Sequence, residues 1–237
     1  MTEPSTPYLE RRAWIGEYFD RTASAAWKTL TSDAPVSRIR ANVRAGRETM
    51  RQTLLSSLPE SLSGARVLDA GCGTGVLAMD LARRGASVLA IDLSPTLVDH
   101  ARELAAQQGI TNIDFRSGDM LDPALGSFDY VVAMDSLIHY ELRENLGALS
   151  RLAPRVGQQM SITIAPRTSV FAALQAVGKF FPQKDRAPSI VQVAESAFVR
   201  GLAETPALSA WSMTHTHRVV RGFYRSQAVV LQQRGSR

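Results

Sequence analysis

An α/β fold built on a mostly parallel sheet is what this 237-residue sequence predicts, and three observations predict it. Short β-branched runs alternate with longer helical stretches after residue 65. Turn and cap signals stand at the joints: Gly85 after "LARR", "SP" opening a helix at 94–95, "DP" at 122–123, and Pro154 with Gly157. Two last alternating segments are separated by a short turn, which marks a C-terminal antiparallel hairpin. Parallel neighbours need long crossovers, and the helical stretches supply them.

Taken in order, residues 8–58 read as two helices, "YLERRAWIGEYFDRTASAAWKTL" and "SRIRANVRAGRETMRQTLLSSL", split by "TSDAP". Residues 1–58 are therefore set apart as an N-terminal helical arm, and residues 59–237 as the main domain. Strands are expected at Arg66–Ala70, Ser87–Asp92, Ile113–Arg116, Phe128–Met134 and Met160–Ala165, with helices near 75–84, 95–108 and 141–152. Residues 166–206 do not follow the strand–helix rhythm and read as a helical cap insertion between strands five and six, broken at Pro182 and Pro188. "SAWSMTHTHRVV" and "FYRSQAVVLQQR", turning at Arg221 and Gly222, complete a seven-stranded sheet.

With 45% apolar and 21% charged residues the composition is that of a soluble globular protein. Its charge is uneven: residues 151–237 hold 12 Lys and Arg against 3 Asp and Glu, whereas residues 1–150 hold 15 against 19. A basic end suits an acidic small molecule, an anionic membrane surface or nucleic acid, and solvated arginines would explain it as well. One cysteine, Cys72, excludes an internal disulfide and a cysteine-rich zinc cage, so a cytoplasmic location is expected. The start lacks a signal-peptide pattern and no later stretch is apolar for long enough to span a bilayer.

The chemistry begins at "VLDAGCGTG", residues 67–75. Gly71, Gly73 and Gly75 remove side chains where a strand turns into a helix, letting a ligand approach backbone N–H groups. The spacing is D-x-G-x-G-x-G from Asp69, not the G-x-G-x-x-G of dinucleotide sites. Asp92 ends the second strand, where a carboxylate can accept from both ribose hydroxyls of a nucleoside. Together with "RVL" ahead of it, the loop resembles motif I of the class I S-adenosylmethionine (SAM) methyltransferases, whose Rossmann-like fold is the architecture expected here. That resemblance implies SAM as methyl donor, with Asp119 at the adenine amino group and Met134 in the cofactor wall. Leu93, Met120 and Cys72 join the expected cofactor contacts. Asp69 is open to two readings, bracing the loop or meeting the methionine amino group, and Cys72 reads as an inert buried thiol more readily than a redox one.

The flanks point to the acceptor. "EYFDRTASAAWKTLTSDAPVSRIRANVRAGRETM", "MDSLIHY" and "FYRS" resemble the magnesium-protoporphyrin IX O-methyltransferases from about Glu17 to Leu231. The resemblance implies methyl transfer to a propionate carboxylate, giving the monomethyl ester in bacteriochlorophyll synthesis. It further implies handover from the large subunit of magnesium chelatase and leaves room for contact with the photosynthetic membrane. A propionate titrates like Glu, at about 4.3, so no strong base is needed.

His139 is the expected catalytic residue, as an orienter of the carboxylate, with axial contact to magnesium and a structural role as alternatives. The resemblance implies that residues 1–58 form a lid over the cofactor; Tyr18 and Phe19 are read on one helical face of it, with Tyr18 expected at the cofactor and Trp27 and Tyr140 at the porphyrin, although an aromatic stripe also packs cores. Arg44 resembles the arginine that related methyltransferases present to the SAM carboxylate. In the cap, Phe180 offers an apolar wall and Lys179 and Lys184 a cationic edge. No protein-bound metal is expected; magnesium enters only within the porphyrin. The sequence departs from the cyanobacterial and plant branch at Leu30 and Thr31, where a tyrosine follows the Trp, so no role of that tyrosine carries over. The main rival is a quinone-ring or other small-molecule O-methyltransferase, which gives no reason for the N-terminal segment. A nucleic-acid methyltransferase would show [N/D]-P-P-[Y/F] where this chain has "MDSL", so no nucleic-acid partner is expected. A non-catalytic SAM-binding regulator has nothing in the sequence to favour it.

Overall fold

The computed structural model describes residues 6–22, 24–32, 35–167 and 188–234. Its sheet has the order β3 (Ile113–Ser117), β2 (Ser87–Asp92), β1 (Arg66–Ala70), β4 (Phe128–Ala133), β5 (Val156–Pro166), β8 (Tyr224–Gln233) and β7 (Trp211–Arg221), with a short β6 (Gln192–Val193) also paired to β5. β1, β2, β3, β4 and β5 run parallel. β7 and β8 form the antiparallel hairpin, and β8 pairs antiparallel with β5.

The central strands β1, β2 and β4 are buried on both faces, as expected for a sheet covered on both sides. On one face, α3 (Arg38–Ser56), α4 (Val76–Arg83) and α5 (Pro95–Gln107) bury Met50, Leu54, Leu81 and Val98. On the other, α6 (Leu142–Leu152) and α7 (Glu195–Glu204) bury Leu149 and Phe198 with Trp211. The starts of α5 and α6 have local causes. Ser94 accepts from Leu97 N ahead of Pro95, and Glu141 and Glu144 form a reciprocal capping box. Gly46 lets α3 lie close on the hairpin, since a Cβ there would come within 2.5 Å of the Tyr224 ring.

Three expectations need correction. β5 begins at Val156, four residues before the expected start: polar Gln159 hides the strand from a hydrophobic pattern, yet it is buried, donating to Ser57 O at 2.8 Å and Ser161 Oγ at 2.7 Å. The first N-terminal helix is not continuous; it consists of α1 (Thr6–Glu17), a wide π turn at Tyr18–Thr22, and α2 (Ser24–Leu30). The hairpin turns at Gly222 and Phe223, because Arg221 still pairs with Tyr224. Of the cap insertion, β6 (Gln192–Val193) and α7 are described; Lys179, Phe180 and Lys184 lie outside the described residues.

Candidate active site

One cavity opens where the strand order reverses, between β1 and β4, at the C-terminal ends of the parallel strands. The glycine loop forms its floor. Gly71 N–H and Cys72 N–H donate to Ile91 O at 2.8 and 3.0 Å, and Gly73 N–H donates to Asp92 Oδ2 at 2.8 Å. Gly71, at φ +86°, packs so tightly on Ser136 that a Cβ would stand 2.3 Å from the serine Cβ. Gly75 differs from its expected role. It is not among the lining residues, and it starts α4 packed on Ala101 and Phe115.

The carboxylates at the strand ends divide the work. Asp69 lines the cavity, is 1% exposed, and its Oδ2 has no hydrogen-bond partner among the described residues. Burial, with the Asp92 charge beside it, pushes its carboxyl up to about 7. An orphaned buried carboxylate oxygen fits an ammonium group. Asp92 accepts from Gly73 and Ser94 backbone N–H and so braces the loop while facing the cavity. Cys72 is held as an inert thiol, its pKa raised by burial and then by Asp92 and Asp69.

The N-terminal arm covers the remainder. Asp119, expected at an adenine amino group, accepts from Tyr8 OH at 3.2 Å and Leu121 N at 2.9 Å and is ion-paired with Arg12. Arg44, expected to grip a carboxylate, donates to Leu30 O and Thr29 O at 2.9 and 2.8 Å, capping α2 while still lining the cavity. Trp27 sits against the glycine loop, since a Cβ on Gly73 would lie 3.0 Å from its indole nitrogen. Tyr18 is not among the lining residues and Phe19 takes its place. Their rings meet edge-on at 5.4 Å, with Phe19 on the cavity side. Leu93, Met120 and Met134 line the walls.

His139 closes the short 3-10 turn Leu137–His139, and its ring is 5.7 Å from Phe19. It lines the cavity, 9% exposed, and its Nδ1 has no partner among the described residues. Burial lowers its pKa, while backbone hydrogen bonds at Ser189 and Pro188 and the Asp135 charge oppose the shift. Tyr140 stacks on Tyr8 at 5.2 Å and is pushed upward by burial. Arg11 binds His139 O at 3.1 Å and Glu144 at 3.3 Å, tying α1 to this turn.

Sequence reasoning passes over Asp135, Arg47 and Tyr8, all of which line the cavity. Asp135 stood inside the quoted "MDSLIHY" and Arg47 just after "RAG"; only the fold brings them together. Among the described residues, no group of three or more His, Cys, Asp and Glu is arranged to hold a metal ion, and no helix is long and apolar enough to cross a membrane.

Comparison with known proteins matches this architecture. The family described as magnesium-protoporphyrin IX methyltransferase C-terminus matches residues 133–233, and a general methyltransferase domain matches residues 67–157. The magnesium-protoporphyrin O-methyltransferase of Rhodobacter capsulatus is 44% identical over 94% of this chain and 96% of its own. The chloroplastic magnesium protoporphyrin IX methyltransferase of Arabidopsis thaliana is 30% identical over 91% of this chain and 69% of its own. The crystal structure of magnesium protoporphyrin IX methyltransferase from Synechocystis PCC 6803 with bound SAH superposes with a TM-score of 0.79 at 26% identity, covering 94% of this chain and all of that one. On this class I SAM methyltransferase fold, and on identity sustained along nearly the whole chain, the protein belongs to the magnesium-protoporphyrin O-methyltransferase family.

Proposed function

We infer that this protein transfers the methyl group of SAM to a propionate carboxylate of magnesium-protoporphyrin IX, giving the monomethyl ester and S-adenosylhomocysteine. One observation carries the site reading: Asp69 and His139 line the same cavity, and each holds a buried polar atom, Oδ2 and Nδ1, with no partner among the described residues. When bound, SAM supplies an electrophilic methyl on a sulfonium.

The chain's own residues do the rest. Asp69 receives the methionine ammonium as its carboxylate; Asp92 faces the ribose while its N–H partners hold the loop open. Asp119, Leu93, Met120 and Met134 enclose the nucleoside, and α1 folds over it. Protonated Nδ1 of His139 holds one propionate oxygen and leaves the other to attack. Burial disfavours that imidazolium, and the incoming carboxylate's charge restores it. Attack needs an in-line approach at roughly 3 Å and partial removal of water, which an enclosed cavity supplies. Trp27 and Tyr140, with Phe180, Lys179 and Lys184 of the cap, are assigned to the macrocycle. α1, the π turn and α2 act as the lid, whereas α3 is packed into the sheet's core layer.

Two finer elements belong to this reading. Handover from the large subunit of magnesium chelatase rests on the family resemblance. Peripheral contact with an anionic membrane is supported by the hairpin tip, where Val220 and Phe223 are 53% and 54% exposed beside Arg221, with Ile39, 56% exposed, between Arg38 and Arg40 at the start of α3. Gly222 lies against Asn42, so the tip and that helix start adjoin. The deciding assay incubates the purified chain with methyl-labelled SAM and magnesium-protoporphyrin IX, with metal-free protoporphyrin and a catechol quinone precursor as competitors. Label is expected in the magnesium porphyrin; its absence there with label in the quinone precursor would transfer the assignment to the rival. Co-sedimentation with anionic vesicles, lost in Phe223→Ser, tests the membrane contact.

A further inference from the structure

We propose that Arg47 and Asp135 are a positioning pair, through which one buried carboxylate sets both the Trp27 ceiling over the glycine loop and the turn that presents His139. The proposal deepens the methyl-transfer reading and rests on it for its kinetic part.

Asp135 is the one non-glycine residue with positive φ among those described, at +55°. L residues avoid this conformation, although aspartate tolerates it better than most, and it persists where the surroundings over-determine it. They do so here. The side chain is 5% exposed. It accepts from Arg47 Nη1 at 2.6 Å, Ser226 Oγ at 2.9 Å, Tyr224 OH at 3.0 Å and Thr163 Oγ1 at 3.3 Å. Its own N–H donates to Thr163 Oγ1 at 2.7 Å. Donors from α3, β5 and β8 thus converge on a corner at the end of β4.

Two consequences leave that corner. Along the chain, the strained turn delivers Ser136, whose Oγ donates to Ala70 O at 2.7 Å and which packs on Gly71; the 3-10 turn ending in His139 follows. Across space, the Arg47 guanidinium lies 4.5 Å from the centre of the Trp27 ring, and Trp27 stands over Gly73 and edge-on to Phe19 at 5.7 Å. Arg47 also neutralises a carboxylate that would otherwise repel an anionic acceptor inside the same cavity. Misplacement of reacting groups by about 1 Å costs on the order of a hundredfold in rate, so a device that fixes both ends acts on turnover more than on binding.

The test uses the full chain as Arg47→Met, Arg47→Lys and Asp135→Asn. Trp27 emission is read in a Trp14→Phe, Trp211→Phe background, since the chain has three tryptophans. Arg47→Met is expected to lower kcat toward magnesium-protoporphyrin IX by about tenfold to a hundredfold, with SAM Kd changed by less than about threefold, and to expose Trp27 to iodide quenching. Arg47→Lys keeps the charge opposite Asp135 and should recover part of kcat; Asp135→Asn should match Arg47→Met. Unchanged kcat in folded Arg47→Met, or a SAM Kd that weakens in step with kcat, overturns the proposal. Should Arg47→Met fail to fold, Arg47→Lys decides alone: unchanged kcat and unchanged Trp27 quenching overturn the proposal. If the wild-type chain leaves the magnesium porphyrin unmethylated, the functional reading fails separately, and Trp27 quenching still decides whether the pair holds the ceiling.

Discussion

At the donor end of the cavity, Gly73 N–H meets Asp92, 19 residues away, and Ser94 N–H meets the same carboxylate two residues away. At the acceptor end, Arg47 reaches Asp135 across 88 residues, Tyr224 reaches it across 89, and Arg11 reaches the His139 carbonyl across 128. The first set is mostly backbone bonding to one acid at the end of the next strand. The second consists of side chains from four elements that meet only once the sheet, lid and hairpin are assembled. The donor end is therefore a motif that any sequence with the right glycines and acids can carry, while the acceptor end is specific to one assembled chain. If that contrast is correct, substitutions should separate cofactor binding from turnover according to which end they touch.

The largest separation is expected for His139→Ala. Removing the group that orients the carboxylate should cut kcat by about a hundredfold, the scale of a lost positioning or proton-holding side chain. SAM affinity should hold, because no donor-end residue loses a partner. Equal losses in kcat and SAM affinity would mean that the two ends are one unit. Asp92→Ala should do the reverse. It removes charge-assisted hydrogen bonds of about 1.5–3 kcal/mol each, so SAM Kd should weaken by about tenfold to a hundredfold in isothermal titration, with a smaller loss in kcat at saturating SAM. An unaltered Kd would remove Asp92 from the cofactor site.

The same contrast explains what could be read from the sequence. β1 and β2 match their expected bounds, because β-branched periodicity and flanking turns act within a few residues. Asp69, Gly71, Gly73 and Asp92 were visible for the same reason. Gly75 was visible as a residue, but its packing on Ala101 and Phe115 was not. Asp135 carries no signal of its own, since a carboxylate in a strand-to-helix corner ordinarily caps a turn; its four donors come from Arg47, Thr163, Tyr224 and Ser226. Arg44 and Asp119 show the complementary difficulty. Their positions were foreseen, but carbonyls of α2 and side chains of α1 occupy groups expected to face the cofactor alone.

A smaller effect belongs wholly to the donor end. Because burial and Asp92 hold the Asp69 carboxyl up at about 7, the free protein keeps it largely protonated below that pH. The bound ammonium favours the carboxylate, so binding expels a proton there. SAM affinity should rise with pH toward 7 by at most about tenfold per unit and then level off. The folded, SAM-free chain runs the other way: its raised pKa makes the proton-bound form a source of stability that is present at low pH and lost as pH climbs through about 7. Asp69→Asn should flatten both profiles. A slope that survives the substitution would assign the titration to another group.

The smallest effect lies where the two ends touch, at the ion pair between Arg12 of α1 and Asp119 after β3. Its partners are 32% and 17% exposed, so solvent screens part of the attraction, and such pairs contribute roughly 0.2–1 kcal/mol. Arg12→Gln should therefore weaken SAM binding by only about two- to fivefold, mainly through faster release, since it loosens α1 over the nucleoside end without removing Tyr8 or the Asp119 bond to Leu121 N–H. Salt distinguishes this latch from a loss of packing. The wild-type release rate should rise as ionic strength screens the pair, over a Debye length of about 8 Å at 0.15 M, whereas the Arg12→Gln rate should already be high and respond little. Equal salt dependence in both proteins would show that α1 is held by Tyr8 and Ile15 packing alone, and the donor end would then owe nothing to the charges that the lid brings to it.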